Sequence, residues 1–282
     1  GARLFQVLDI EPQISDSPLA KPLAKGPGVV RFDNVSFGYG DIPAVRDLSF
    51  EVSPGEILGI VGPPGSGKST IAQLVPRLYD VTSGAITIDG QNIQSVTLKS
   101  LRNTVALVQQ DMFLFKTTIE ENIAYGRPNA SIEDIIDAAT TAQINDYVVS
   151  LPNGYDTMVG ERGVSLSGGQ RQRLSLARSI LIKPKVIIFD DSTAAIDTVT
   201  EQQILERLTK ATSDQSTIII SHRLSSLVKA HQILVLDHGH IVERGTHQEL
   251  LQMGGRYSDM YALQTKPVSS VDESQTNVPS RL

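Results

Sequence analysis

The run Gly62-Pro63-Pro64-Gly65-Ser66-Gly67-Lys68-Ser69-Thr70 has the residue types needed to hold a chain of phosphates. It matches GxxxxGK[ST] and directly follows the apolar stretch Ile57-Leu58-Gly59-Ile60-Val61. Glycines let a backbone wrap an anion with its N–H groups turned inward. The helical pattern from Thr70 to Leu78 sets a helix start, with its partial positive charge, behind the loop. The Lys68 ammonium suits β- and γ-phosphates, and the Ser69 hydroxyl suits Mg²⁺. A glycine-rich turn with an incidental lysine is the plainer reading. The strand leading in and the helix leading out argue against it.

A second segment, Leu166-Ser167-Gly168-Gly169-Gln170, precedes Arg171-Gln172-Arg173-Leu174. Ser167 is a natural N-cap, and two glycines at a helix start expose backbone N–H groups, which makes another anion site. An ordinary Ser/Gly helix start has the same composition. Val186-Ile187-Ile188-Phe189 ends in Asp190 and Asp191. A carboxylate at the end of such a strand is suited to Mg²⁺; a turn aspartate is the plain alternative.

These residues need elements to place them. Val29–Phe37, Asp47–Val52, Glu56–Val61, Ala85–Asp89 and Val105–Gln109 read as strands, as do Val186–Phe189, Thr217–Ile220 and Ile233–Leu236. The runs 57–61, 186–189 and 217–220 are nearly continuous in apolar residues, which predicts central parallel strands covered on both faces. Between about Asp111 and Pro184 the pattern is helical. Thr118 with Glu121 makes a capping box. Ser131 with Asp134 resembles another, opening a helix with Ile135, Ile136 and Ala139 inward. A third helix is expected from near Ser167 to about Ile182, with Leu174, Ala177 and Leu181 on one face. Residues 1–12 carry Leu4, Phe5, Val7 and Leu8 at near-helical spacing and stop at Pro12. Residues 13–28 read as a linker, and the polar stretch from about Lys266 to Leu282 reads as disordered.

The chain has 282 residues, a net charge of −6 and no cysteine. It is long enough for a substantial core. The acidic balance argues against general binding to nucleic acid or anionic lipid, and disulfides and thiolate metal sites are excluded. No apolar run approaches the roughly 18–20 residues needed to cross a bilayer. A first residue that is not Met leads us to expect a fragment of something longer.

Taken together, the two glycine-rich motifs resemble the phosphate loop and signature of the ABC ATPases. The resemblance covers about residues 1–265. It implies an α/β fold: a P-loop (RecA-like) ATPase core with an inserted α-helical subdomain and an N-terminal antiparallel β subdomain. It divides the chain into 1–28 (end of a transmembrane helix and linker), 29–265 (ATPase domain, helical subdomain at about 111–184) and a 266–282 tail. It implies ATP and Mg²⁺ as ligands, with residues 62–70 on the phosphates and Ser167, Gly168, Gly169 and Gln170 acting in trans on a partner's nucleotide. Val186–Asp190 resembles Walker B, so Ser69, Gln110 and Asp190 would attend the metal. Gln110 and His222 match the glutamine that senses the attacking water and the switch histidine. Tyr39 matches the aromatic that stacks on adenine, with a strand-end core aromatic as its rival. Ala194-Ala195-Ile196-Asp197 matches the segment crossing the dimer interface, with alanine where serine is usual.

The same resemblance points to an exporter. Val159-Gly160-Glu161-Arg162-Gly163, Phe113-Leu114-Phe115 and Thr118–Ile123 look like the surface that receives the coupling helices of a membrane domain. Gly255-Arg256-Tyr257 through Gln264 resembles an exporter's C-terminal helix. The implied partners are a second ABC ATPase domain and those coupling helices, at the cytoplasmic face of a membrane, with no nucleic acid. One position departs from the family. Asp191 stands where the catalytic glutamate is usual, one methylene shorter, as on the weak side of heterodimeric exporters. Other readings of the same core stay open: a soluble ABC ATPase of DNA repair or translation, a separate importer ATPase subunit, or a regulatory nucleotide-binding domain. The transported substrate is not legible.

Overall fold

A computed structural model describes residues 12–109, 113–160, 164–191, 200, 203–204, 207 and 214–265. The chain runs through β1 (Val30–Tyr39), β2 (Ile42–Val52), β3 (Ile57–Val61), α1 (Lys68–Leu74), β4 (Ser83–Ile88), β5 (Gln91–Asn92), α2 (Leu98–Thr104) and β6 (Val105–Val108). Four helices follow: α3 (Ile119–Ala124), α4 (Ile132–Thr141), α5 (Asn145–Ser150) and α6 (Gly168–Leu181). Then come β7 (Val186–Asp190), β8 (Ser216–Ile220), β9 (Gln232–Asp237), β10 (His240–Gly245), α7 (His247–Met253) and α8 (Arg256–Thr265).

The strands form two sheets. One is antiparallel, ordered β2-β1-β4-β5. The other is ordered β10-β9-β3-β8-β7-β6. Its strands from β9 to β6 are parallel, and β10 joins antiparallel at the edge. The runs expected at the centre are there, as β3, β8 and β7. Their apolar continuity has a simple cause. Side chains alternate between faces, and each face has its own core. Ile60, Ile188, Ile218 and Leu234 enter one core together with Phe32, Phe50, Ile71 and Leu74. Val61, Ile187, Phe189 and Ile219 enter another with Ile123, Ile135, Leu174 and Ala177.

The helix starts expected from sequence form as read. Thr118 Oγ1 accepts from Glu121 N at 3.1 Å, and Glu121 Oε2 accepts from Thr118 N at 3.4 Å. Ser131 Oγ caps α4 by accepting from Asp134 N at 3.2 Å. The Asp134 carboxylate does not reach back to the cap. It accepts from Lys183 at 2.9 Å and pairs with Arg127 at 3.0 Å, tying α4 to the chain just after α6. One expectation fails on α4: Ile136 is 39% exposed, whereas Ile135, Ala138 and Ala139 are buried. A helical stripe turns about 100° per residue, so the neighbour of Ile135 leaves the face that Ala138 and Ala139 share.

The sequence reading passes over β5, β10 and α2. β5 has only two residues. β10 (HIVERG) is a half-exposed edge strand whose charges break the apolar pattern. The segments 1–11 and 266–282, read as a helix and a tail, lie outside the described residues. Among the described residues no helix is long and apolar enough to cross a membrane.

Candidate nucleotide site

β3 delivers the chain into the loop at its C-terminal end, and α1 carries it away. Gly62, Gly65 and Gly67 have φ of 152°, 77° and 101°, a region that only glycine enters freely. Gly67 is also crowded, since a Cβ there would stand 2.6 Å from Ala44 O. Ile71 N is the amide that reaches Gly67 O, at 3.1 Å. The amides of Lys68, Ser69 and Thr70 are therefore the open donors that a first helical turn leaves. The Ser66 hydroxyl is buried and, among the described residues, lacks a hydrogen-bond partner.

Lys68 is buried, and its ammonium donates to Gly62 O and Pro63 O, both at 2.9 Å. Burial pushes its pKa down, while the negative charges of Asp191 and Asp190 pull it back up. Ser69 Oγ donates to Asp190 Oδ1 at 3.0 Å, across from α1 to the end of β7. Burial pushes the Asp190 carboxyl up. The Ser69 bond opposes that, Asp191 reinforces it, and Lys68 and His222 pull it down.

The parallel pairing of β7 with β8 sets Asp190 opposite Ile220, so the chain ends beyond them meet. Asp191 N donates to Ile220 O at 3.0 Å. The Asp191 side chain then reaches His222: Oδ1 accepts from His222 N at 2.9 Å, and Oδ2 lies 3.0 Å from Nε2. Asp191 adopts φ 46°, in the left-handed region that aspartate tolerates better than most residues.

Tyr39 stands at the surface, 42% exposed, not in the core. Its ring packs edge-on against Phe37 and Tyr79, at 4.9 and 5.2 Å, and its hydroxyl donates to Gln73 on α1 at 3.0 Å. At the start of α6, Ser167 Oγ accepts from Gln170 N at 3.2 Å while Gln170 Oε1 accepts from Ser167 N at 2.8 Å. The Ser167 and Gln170 side chains are thus committed to a capping box, and Gly168 and Gly169 follow half-buried. Gln110, Glu161, Arg162 and the stretch 194–197 lie outside the described residues.

The chain is similar to known proteins. A family model described as ABC transporter matches residues 45–194. The ABC transporter ATP-binding protein YknU of Bacillus subtilis (strain 168) is 46% identical over 275 residues, covering 97% of this chain. This chain belongs to the ABC transporter family. A putative multidrug export ATP-binding/permease protein of Staphylococcus aureus (strain NCTC 8325 / PS 47) is 46% identical over 263 residues, 93% of the chain. A bacterial Atm1-family ABC exporter, solved with ATP bound, superposes with a TM-score of 0.90 at 46% identity over 95% of the chain. The chain spans about half the length of these relatives: 47%, 46% and 47%. It is an ABC ATP-binding domain homologous to exporter ATP-binding/permease proteins, and ATP binding and hydrolysis are the general activity of its family.

The sequence reading of this ABC domain places Asn122 within the run Thr118–Ile123 but misses its buried network with Arg178. Asn122 is fully buried on α3. Its amide nitrogen donates to Phe115 O and Thr118 O, both at 3.0 Å, and its oxygen accepts from Phe115 N at 2.9 Å. Arg178, on α6, donates to Asn122 O at 2.8 Å, Asn122 Oδ1 at 3.0 Å and Phe113 O at 3.1 Å. Its guanidinium also lies over the rings of Phe115 and Tyr125, at 5.7 and 5.6 Å. Phe113 and Tyr125 remain 69% and 59% exposed. Hydrogen bonding of this kind leaves no periodic trace in a sequence; only the Phe-Leu-Phe run is visible there.

Proposed function

We propose that this domain binds Mg-ATP at residues 62–70 and hydrolyses it to drive an exporter. The observation that carries this is the convergence of Lys68, Ser69, Asp190, Asp191 and His222 at the ends of β3, β7 and β8. The residues fit a polyphosphate with a divalent cation. Among the described residues, a buried ammonium bonded only to neutral carbonyls, a Ser66 hydroxyl without a partner and the open first-turn amides all call for an anion. Ser69 and Asp190 would hold Mg²⁺. Mg²⁺ takes one or two protein ligands plus phosphate oxygens, which a hydroxyl and a carboxylate 3.0 Å apart can supply. Bound Mg-ATP supplies the phosphoanhydride to be cleaved and a cation that neutralises charge developing on the leaving group.

The chain's own residues do the rest. Lys68 stabilises negative charge on the β- and γ-phosphates, and Tyr39 offers a ring to adenine. Asp191 is the base that takes a proton from water, with Gln110 orienting that water and His222 donating to the γ-phosphate. Aspartate shortens the reach of that base, so this site is the weaker of two in a heterodimer. Ser167–Gln170 completes the partner's site in a head-to-tail dimer. Residues 111–184 form the helical subdomain within the ATPase domain, residues 29–265. The exposed Phe113 and Tyr125, backed by Phe115 and Arg178, receive the coupling helices of a membrane domain at the cytoplasmic face.

Cysteine pairing tests this reading, because the chain has no cysteine of its own. Ser167→Cys on this chain and a cysteine placed in the partner's phosphate loop, at the position matching Pro64, should cross-link in the full-length transporter only with Mg-ATP. Equal cross-linking without nucleotide, or none with it, sinks the shared-site arrangement.

A further inference from the structure

We propose that Gln264, on the last turn of α8, is a positioning residue for the His222 switch. Its amide bridges both sides of the segment. Nε2 donates to His222 O at 2.6 Å, and Oε1 accepts from Leu224 N at 3.0 Å. The segment 222–224 has left the β8 ladder, and side chains hold its backbone. His222 N is held by Asp191 Oδ1, Arg223 N by Ser221 Oγ at 3.0 Å and Arg223 O by Ser226 Oγ at 2.6 Å. Gln264 supplies two more, from 42 and 40 residues further along the chain.

The helix that carries Gln264 is firmly placed at its other end. Tyr257 is fully buried, and its hydroxyl meets His247 Nδ1 at 2.7 Å. The Glu243 carboxylate accepts from Arg256 N and Tyr257 N at 2.6 and 3.0 Å, and Arg256 pairs with Asp237. α8 is therefore a strut standing on β9, β10 and α7, and its tip carries the only side-chain bonds that reach His222 O and Leu224 N among the described residues. A histidine must sit within a fraction of an ångström of its target to act on it, and a backbone held from one side only is free to pivot. Gln264 supplies the second side. Among the described residues its hydrogen bonds go to the backbone of His222 and Leu224 and not to residues 62–70, so its influence falls on turnover and not on ATP affinity.

This inference rests on the assignment of His222 to the ATP site, and the experiment separates the two. ATP hydrolysis at this site is measured in single turnover on the full-length transporter with its native partner, this chain carrying Gln264→Met, Gln264→Glu or His222→Ala; kcat and KM are here this site's maximal rate and half-saturating ATP. Met keeps the size and loses both bonds. Glu keeps an acceptor for Leu224 N but sets a carboxylate against His222 O. The expected result is kcat reduced about three- to tenfold in Gln264→Met, the size set by losing exposed hydrogen bonds, with KM for ATP unchanged. Gln264→Glu should be impaired in the same sense, and His222→Ala should be inactive. Wild-type kcat in both Gln264 variants beside an inactive His222→Ala overturns the positioning role alone. A fully active His222→Ala overturns the switch assignment and this inference with it. A parallel loss of kcat, KM and thermal stability in both Gln264 variants reduces the residue to general scaffolding and also overturns it.

Discussion

The carboxylate of Asp191 grips His222 at two points, with Oδ2 3.0 Å from Nε2 and Oδ1 accepting the backbone N–H at 2.9 Å. The acid that would act on water is thus engaged with the histidine that would act on phosphate. The short aspartate stem is what lets one carboxylate span the ring and the main chain of the same residue.

Asp191→Glu should lengthen that reach by one methylene without changing charge. Turnover at this site is expected to rise about tenfold or more, because a well-placed general base contributes roughly 10²–10⁴-fold. Asp191→Asn keeps an oxygen for His222 N and should bind ATP normally while lowering residual turnover. Single-turnover hydrolysis in the complex with the native partner reads both. A fast wild type left unchanged by Asp191→Glu points instead to a symmetric, competent pair.

Lys68 is a buried cation whose ammonium, among the described residues, bonds to the carbonyls of Gly62 and Pro63 and to no carboxylate. Lys68→Met should cut Mg-ATP affinity or turnover by roughly ten- to a hundredfold, the worth of a charge-assisted hydrogen bond. The melting temperature without nucleotide should hold or rise, since an ammonium is no longer desolvated. Calorimetric titration and thermal melts with and without ATP check the two halves. Wild-type ATP affinity in this variant would remove the phosphate role of residues 62–70.

Asn122 fills all four of its amide positions from a fully buried site. Asn122→Leu leaves Phe115 N and part of Arg178 without partners, while Phe115 O loses one of two bonds and keeps that from Thr117 N. It should cost about 2–4 kcal/mol by denaturant unfolding, since buried groups left unpaired cost about 1–3 kcal/mol each and partly relax. The Phe113–Phe115 loop should loosen with it, visible as faster amide exchange there. Unchanged stability would mean that the network contributes nothing net.

Arg77 is buried and grips Asp80 with Nε at 2.7 Å and Nη2 at 3.2 Å. The hydrogen bond from Arg77 holds the Asp80 carboxyl below its usual range. A depressed carboxyl stabilises the fold above its unfolded pKa, and that stability is lost as pH falls through the folded value. Wild type should therefore lose this contribution below about pH 4. Asp80→Asn should be about 1–2 kcal/mol less stable at neutral pH, discounted for the partial exposure of Asp80, and flatter in acid. Unfolding series from pH 7 to 3 on both proteins decide it; parallel curves would show that the pair has no net worth.

Much of this domain is written in local patterns. The phosphate loop, the Thr118 capping box, the Ser131 and Ser167 caps and the three central strands depend on neighbours a few residues apart, where residue type and spacing set the conformation. The amino-acid sequence alone therefore determined the element types, the buried strand centres and the glycine-bearing loops. It misplaced Ile136 because composition does not say which side of a narrow helix stripe meets the core. It passed over β10 because an edge strand needs no apolar run. The tertiary structure alone decided which distant groups meet. The register of β7 against β8 brings Asp191 to His222, α8 brings Gln264 to the other side of that histidine, and α6 brings Arg178 under Asn122. Those contacts span 31, 42 and 56 residues. No local propensity encodes them. They exist because two cores, one on each face of the parallel sheet, bury β7 and β8 along their whole length and so fix how those strands lie against each other.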